Sequence, residues 1–114
     1  MRVFVSGALN SDSVGFMENI RKMLIMGREV EELGVRTYIP INDFLMSMVC
    51  GCLDHDHYYK CDLLELGYCD AMIVVPGYED SIGVKSEMEH AMENGIPIFY
   101  TVDALERFLQ WGEV

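Results

Sequence analysis

The sequence predicts a three-layer α/β/α sandwich around a parallel sheet, Rossmann-like or flavodoxin-like, with residues 1–114 as a single domain. Three observations predict it. Four short apolar runs, "RVFVS", "VRTYIP", "AMIVV" and "IPIFY", alternate with longer segments of helical periodicity. Strands that are continuously apolar are those buried on both faces, which is the signature of a parallel sheet between helical layers. With 114 residues, 51% of them apolar, the chain is large enough for one core and too short for two.

Residues 2–6 read as the first strand, ending at "SG". Ser11, Asp12 or Ser13 caps the next helix, whose apolar positions Phe16, Ile20, Met23, Leu24, Met26, Val30 and Leu33 recur at helical spacing until Gly34 closes it. Residues 35–40 form the second strand, stopped by Pro40. Asn42 caps a short helix through Met48, and a further helix runs from Tyr58 to Gly67 with Leu63, Leu64 and Leu66. "AMIVV" at 71–75 is the clearest buried strand. Ser81 opens a helix to Asn94, ended by Gly95, residues 96–100 are the fourth strand, and Asp103 caps a last helix to Gln110. Right-handed crossovers join such strands. Ligands of these folds bind beyond the carboxyl ends of the strands, at the switch point. Segments 6–13, 40–57 and 76–83 are expected there.

Charge narrows the partners. Acidic residues outnumber basic ones 19 to 8, for a formal charge of −11, which argues against nucleic acid or an anionic membrane. No apolar run approaches the roughly 18 residues of a membrane span, and the amino terminus lacks signal-peptide form. A cytoplasmic protein with reduced cysteines is expected. A small molecule or another protein is the partner class left.

The stretch "PGYEDSIGVKSEMEHA", residues 76–91, is the first candidate for chemistry. Ser81 and Gly83 stand at a helix N-terminus, where free N–H groups and the helix dipole suit an anion. An ordinary helix cap is the competing reading of Ser81. Glu87 shares a face with Ala91, which is small enough to bring the helix close to the sheet. A solvated charge is the competing reading of Glu87. Asp62 on the preceding helix and Asp70 at the third strand's start are further carboxylates, and two near one pocket divide the work of nucleophile and acid/base.

These residues carry a resemblance. "VFVSGALN", Phe16, Gly34, Pro40 and "YYKCDLLELGYCDAMIVVPGYEDSIGVKSEMEHA" resemble the nucleoside 2-deoxyribosyltransferase-like superfamily, in particular a small phage and bacterial branch of it. The likeness spans nearly the whole chain and is most specific over "CDAMIVVPGYEDSIGVKSE". It implies hydrolysis or transfer at the N-glycosidic bond of a (deoxy)nucleoside or nucleoside 5′-monophosphate, without a cofactor or metal. It also implies a homodimer or higher homo-oligomer that completes its pockets across a subunit interface. Carried over, Glu87 is the nucleophile and Asp62 grips the sugar and handles protons. Ser81, beside Gly83, contacts phosphate together with Ser6, Gly7 and Asn10 of the first-strand loop. Tyr78 offers an aromatic wall for the base. An ionised Glu87 is required, and the nearby helix N-terminus is expected to favour it.

The sequence departs from that pattern in places. Phe4 stands where many relatives have a Tyr whose hydroxyl orients the nucleophile, so that hydrogen bond is expected to be absent. The first loop, "GALNSDSVG", contains no Arg or Lys, and Lys85 is the nearest cation.

One cluster remains, "VCGCLDHDHYYKCD" at 49–62. Zinc needs four converging ligands, and Cys50, Cys52, His55 or His57, and Cys61 offer them. C-x-C is shorter than the usual spacer, and the segment falls where relatives have a variable lid. A reduced, polar active-site loop without metal is the reading adopted. Cys69 reads as a small packing residue and His90 as a helix-surface or subunit contact. A non-catalytic nucleotide-binding module and an acidic protein-interaction domain are the alternative functions.

Overall fold

The structure is a computed structural model that describes residues 1–8, 13–41, 45–46, 49–51 and 55–111, with Ser13 and His55 described by backbone only. Strand β1 (Arg2–Ser6) is buried from its second residue onward, and helix α1 (Ser13–Glu31) follows. Beyond α1, Gly34 takes a left-handed φ of 90° and donates its N–H to Glu31 O at 2.9 Å, the stop expected of glycine there. Strand β2 (Arg36–Tyr38) is shorter than the predicted 35–40. The predicted helix at 42–48 lies largely outside the described residues.

Helix α2 (His55–Gly67) begins three residues before the predicted Tyr58, with Asp56 in its first turn, where a negative charge suits the helix dipole. Strand β3 (Ala71–Val74) leads to helix α3 (Ile82–Glu93), capped by Ser81 as expected. Strand β4 (Ile98–Phe99) is cut to two residues, and helix α4 (Val102–Trp111) completes the order. The cap of α4 is Thr101 rather than Asp103, because the Thr101 hydroxyl accepts the Ala104 N–H at 3.1 Å. Asp103 falls inside the first turn.

All strand pairs are parallel, in the order β2-β1-β3-β4. The chain therefore steps outward in opposite directions from β1, which puts the switch point between β1 and β3. Alternation along the strands builds two cores. Val3, Val5, Ala71, Ile73 and Phe99 pack on one face with Ile20, Met23 and Val30 of α1 and Leu105 of α4. Phe4, Met72 and Val74 pack on the other with Leu66 of α2 and Val84 and Ala91 of α3. Each large side chain buried this way is worth about 1.5–3 kcal/mol. This is the predicted three-layer sandwich. Among the described residues no helix is long and apolar enough to cross a membrane.

Candidate functional site

Ser6 ends β1 at the switch point. Its carbonyl accepts the Val75 N–H at 2.8 Å, and its Cα pairs with Val74 across the sheet, so the backbone on both sides is fixed. It is the one buried polar side chain among the described residues, with 0% exposure. The Ser6 hydroxyl donates to Glu87 Oε1 at 2.7 Å.

Glu87 reaches that hydroxyl because of where α3 places it. Val84, Glu87, Met88 and Ala91 form the stripe turned to the sheet, with Val84 and Ala91 buried and Met88 packed against the same core. An acid on an apolar stripe loses water. Burial pushes the Glu87 carboxyl up to about 7, while the Ser6 hydroxyl pulls it back down. The expectation that the helix N-terminus keeps Glu87 ionised is corrected here. Glu87 stands beyond the first turn, where the dipole acts, and desolvation prevails. Phe4 has no hydroxyl to offer Glu87, and it is Ser6 that supplies one.

Phe4, two residues before Ser6 and on the same face, is fully buried. Its ring stacks on Tyr38 with centroids 5.5 Å apart, so it underlies the site rather than lining it. Tyr38 in turn donates its hydroxyl to Asp62 Oδ1 of α2 at 3.2 Å. Sequence reasoning passed over Tyr38 as a strand residue. Its place at the end of β2, level with Phe4, was the available signal.

Ser81 accepts the Val84 N–H at 3.2 Å, so its oxygen is engaged as a cap. Gly83 is exposed in the first turn, and a Cβ there meets only Ser81 Oγ at 4.0 Å. At Gly7 a Cβ meets Met23 Cγ at 2.7 Å and Val75 Cβ at 3.3 Å, so this glycine lets α1 lie against the strand end. Tyr78 is partly buried, its ring 6.0 Å from Tyr100. Asn10 lies outside the described residues.

Asp70 is not part of this end. Its carboxylate accepts the Arg2 N–H at 2.8 Å, at the amino-terminal edge of the sheet, opposite the switch point. Of the further carboxylates the sequence offers, Asp70 therefore has no place beside that pocket.

The cysteine and histidine cluster is divided by secondary structure. Cys52 lies outside the described residues, Cys50 is exposed, and His57 and Cys61 sit one helical turn apart on α2 with Nε2 and Sγ at 3.7 Å. Residues 55–57, expected in the loop, belong to α2 together with the predicted helical residues from Tyr58. Among the described residues no three potential ligands converge on a metal site. Cys69 is buried, and burial pushes its thiol up to about 11, as suits a packing residue. His90 lines a groove of about 540 Å³ between α2 and α3 with Lys60, Leu64, Tyr68 and Asn94.

Comparison with known proteins adds to this geometry. A family model described as "Domain of unknown function (DUF4406)" matches residues 1–100. The chain is similar to a solved 2-deoxyribosyltransferase from the psychrotolerant bacterium Bacillus psychrosaccharolyticus, at 14% identity and a TM-score of 0.69, covering 93% of this chain and 90% of that one. It is also similar to a conserved protein from Enterococcus faecalis V583, at 17% identity and a TM-score of 0.69, covering 99% of this chain and 75% of that one. At these identities the likeness shows the fold, which is nucleoside 2-deoxyribosyltransferase-like. No curated protein matches the chain.

Proposed function

The chain belongs to the DUF4406 family, and from that premise we propose that it cleaves the N-glycosidic bond of a (deoxy)nucleoside or nucleoside 5′-monophosphate, with Glu87 as nucleophile. The observation that carries the reading is the Ser6–Glu87 hydrogen bond of 2.7 Å, which fixes a desolvated carboxylate at the switch point. The fold shared with a 2-deoxyribosyltransferase supports it.

In the proposed reaction an oxygen of the Glu87 carboxylate bonds to the anomeric carbon as the bond from that carbon to the base nitrogen breaks. The base leaves with the electron pair and takes up a proton, which Asp62 manages. The transition state resembles an oxocarbenium ion, stabilised by the adjacent negative charge. Water then attacks the same carbon and regenerates Glu87 with release of the sugar, or a second base does so and completes a transfer. Phosphate contact by Ser81, Gly83, Gly7 and Asn10, and stacking of the base on Tyr78, complete the proposal. Ser6 is fully buried and leaves that group. A homo-oligomer belongs to the same reading and is read by light scattering.

The test is chromatographic detection of free base from a panel of deoxynucleosides and their monophosphates. Release that is lost in Glu87→Ala supports the proposal, and release that persists unchanged in that variant overturns it. Binding of a panel member without any release supports the non-catalytic nucleotide-binding module instead.

A further inference from the structure

We infer that Ser6 is a positioning residue for Glu87, holding one carboxylate oxygen so that the other is presented at the carboxyl end of the sheet. The inference rests on the reading of Glu87 as nucleophile and deepens it. It takes Ser6 out of the set of residues that touch substrate.

Three features of the structure carry it. Ser6 has no exposed surface, so a ligand arriving from solvent has no access to its hydroxyl. Its backbone is held in the sheet by pairing with Val74 and by the Val75 N–H, so the hydroxyl comes from a fixed point of the strand. The 2.7 Å separation from Glu87 Oε1 is that of a short O–H···O bond, within the range such bonds reach toward carboxylates. A single donor of this kind selects one side-chain conformation of Glu87 and leaves its second oxygen uncommitted to Ser6.

The same bond sets how readily Glu87 ionises. Burial raises the carboxyl and the Ser6 hydroxyl opposes burial. The charged and titratable groups on the neighbouring elements are Asp62 on α2 and Lys85, Glu89 and His90 on α3, and burial and the Ser6 hydroxyl are the two causes that shift Glu87. Removal of the hydroxyl therefore leaves burial unopposed, because a donor that favours the charged form has gone.

The experiment follows the Glu87 side-chain carboxyl by ¹³C NMR against pH, in protein labelled at glutamate, with the resonance assigned by its loss in Glu87→Gln. Base release is measured over the same pH range. In the unsubstituted protein the midpoint is expected at about 7. In Ser6→Ala it is expected to rise by about one pH unit, the size of one hydrogen bond to a charged group. The rising limb of the rate profile is expected to move with it, and kcat to fall about 10- to 100-fold with KM changed less than about twofold. Ser6→Thr, which keeps the hydroxyl, is expected to restore both. Ser6→Cys, with a weaker donor, replaces Ser6→Ala if the alanine variant does not fold, and the same shift in smaller measure is expected of it. A midpoint that stays put, or a loss carried wholly by KM, overturns the inference. The two readings fail separately. Base release that survives Glu87→Ala sinks the nucleophile, whereas an inactive Glu87→Ala with an unmoved midpoint in the Ser6 variants sinks only the positioning role.

Discussion

Asp70 and Glu65, at the amino-terminal end of the sheet, both take Arg2 as partner, through its backbone N–H at 2.8 Å and its guanidinium at 3.2 Å. Glu87 and Asp62, on the helices that cover the same sheet, take hydroxyls instead, from Ser6 at 2.7 Å and Tyr38 at 3.2 Å. The difference lies in what the partner does to the charge. A guanidinium neutralises a carboxylate, and an exposed pair of this kind contributes about 0–1 kcal/mol to stability. A hydroxyl orients a carboxylate without bringing an opposite charge of its own. In a chain with 19 acidic residues the number of acids says little, and a hydroxyl partner marks a site acid only in combination with its place in the fold, since exposed Glu31 also takes the Thr37 hydroxyl, at 2.7 Å.

The largest expected effect is at Glu87, and it has two opposite signs. Glu87→Gln is expected to lower base release at least about 10³-fold, since the amide is no nucleophile. The same change is expected to stabilise the fold above neutral pH. The folded carboxyl lies at about 7 against an ordinary value of 4.5, so the native state holds its proton longer than the unfolded chain does. Stability from that group is full below about pH 4.5 and is lost as pH rises through about 7. Calorimetry is expected to show Tm of Glu87→Gln above the unsubstituted protein by roughly 5 °C at pH 8, with the curves converging at pH 4. Equal values at pH 8 break the contrast between the two ends of the sheet.

Next in size is the Asp62 arm. Asp62→Asn is expected to slow base release by ~10²–10⁴-fold, the usual scale of general acid–base help. Tyr38→Phe removes only the hydroxyl that holds Asp62 and is expected to cost about tenfold. If Tyr38→Phe costs as much as Asp62→Asn, the tyrosine itself touches substrate.

Gly7→Ala tests the switch point as a packed junction. The added methyl lies 2.7 Å from Met23 Cγ, and an overpacked site of this kind costs about 1–3 kcal/mol. Chemical denaturation reads that loss. A neutral result means that α1 yields, and that Gly7 is free for the phosphate role.

At the other end of the sheet, Asp70→Asn is expected to cost about 1 kcal/mol by the same measurement, because the amide oxygen still accepts the Arg2 N–H but without charge. Base release is expected to be unchanged. A fall in activity without a fall in stability contradicts the division between the two ends.

The fold was legible because its cues are local and redundant. Apolar strands, Gly34 and Gly95 at helix ends and Ser81 at a helix start each name one structure, and all occur where expected. The edges were less legible. Thr101 and Asp103 are both capping residues two positions apart, and which one caps is decided by where β4 stops. The start of α2 falls three residues before the predicted Tyr58, because His and Asp carry weak helical signals while Asp56 in the first turn suits the helix dipole. Within the site, Glu87 was legible as the acid on a helical apolar stripe. Asp70 was misplaced although topology could have excluded it, since a residue before a strand lies at the end opposite the ligand crevice. Tyr38 and the burial of Ser6 were hidden, because both depend on neighbours distant in sequence, as the contact of Ser6 with Glu87 shows.

The smallest expected effect belongs to Gly83, and it sharpens the carboxyl-terminal end of the comparison. Glycine in the first turn of a helix loses more backbone freedom on folding than alanine does, so its presence has a cost. Neither backbone conformation nor space requires it here. Its φ lies outside the left-handed range, and a Cβ meets nothing closer than Ser81 Oγ at 4.0 Å, an ordinary contact. Gly83→Ala is therefore expected to stabilise the protein by about 0.4–1 kcal/mol, a rise of a few degrees in Tm. If the glycine serves to let a phosphate reach the backbone N–H groups of α3, the methyl obstructs that approach, and preference for monophosphates over nucleosides falls in the same variant. Stabilisation with the preference unchanged removes Gly83 from the phosphate site and leaves the loop around Gly7 to supply that contact.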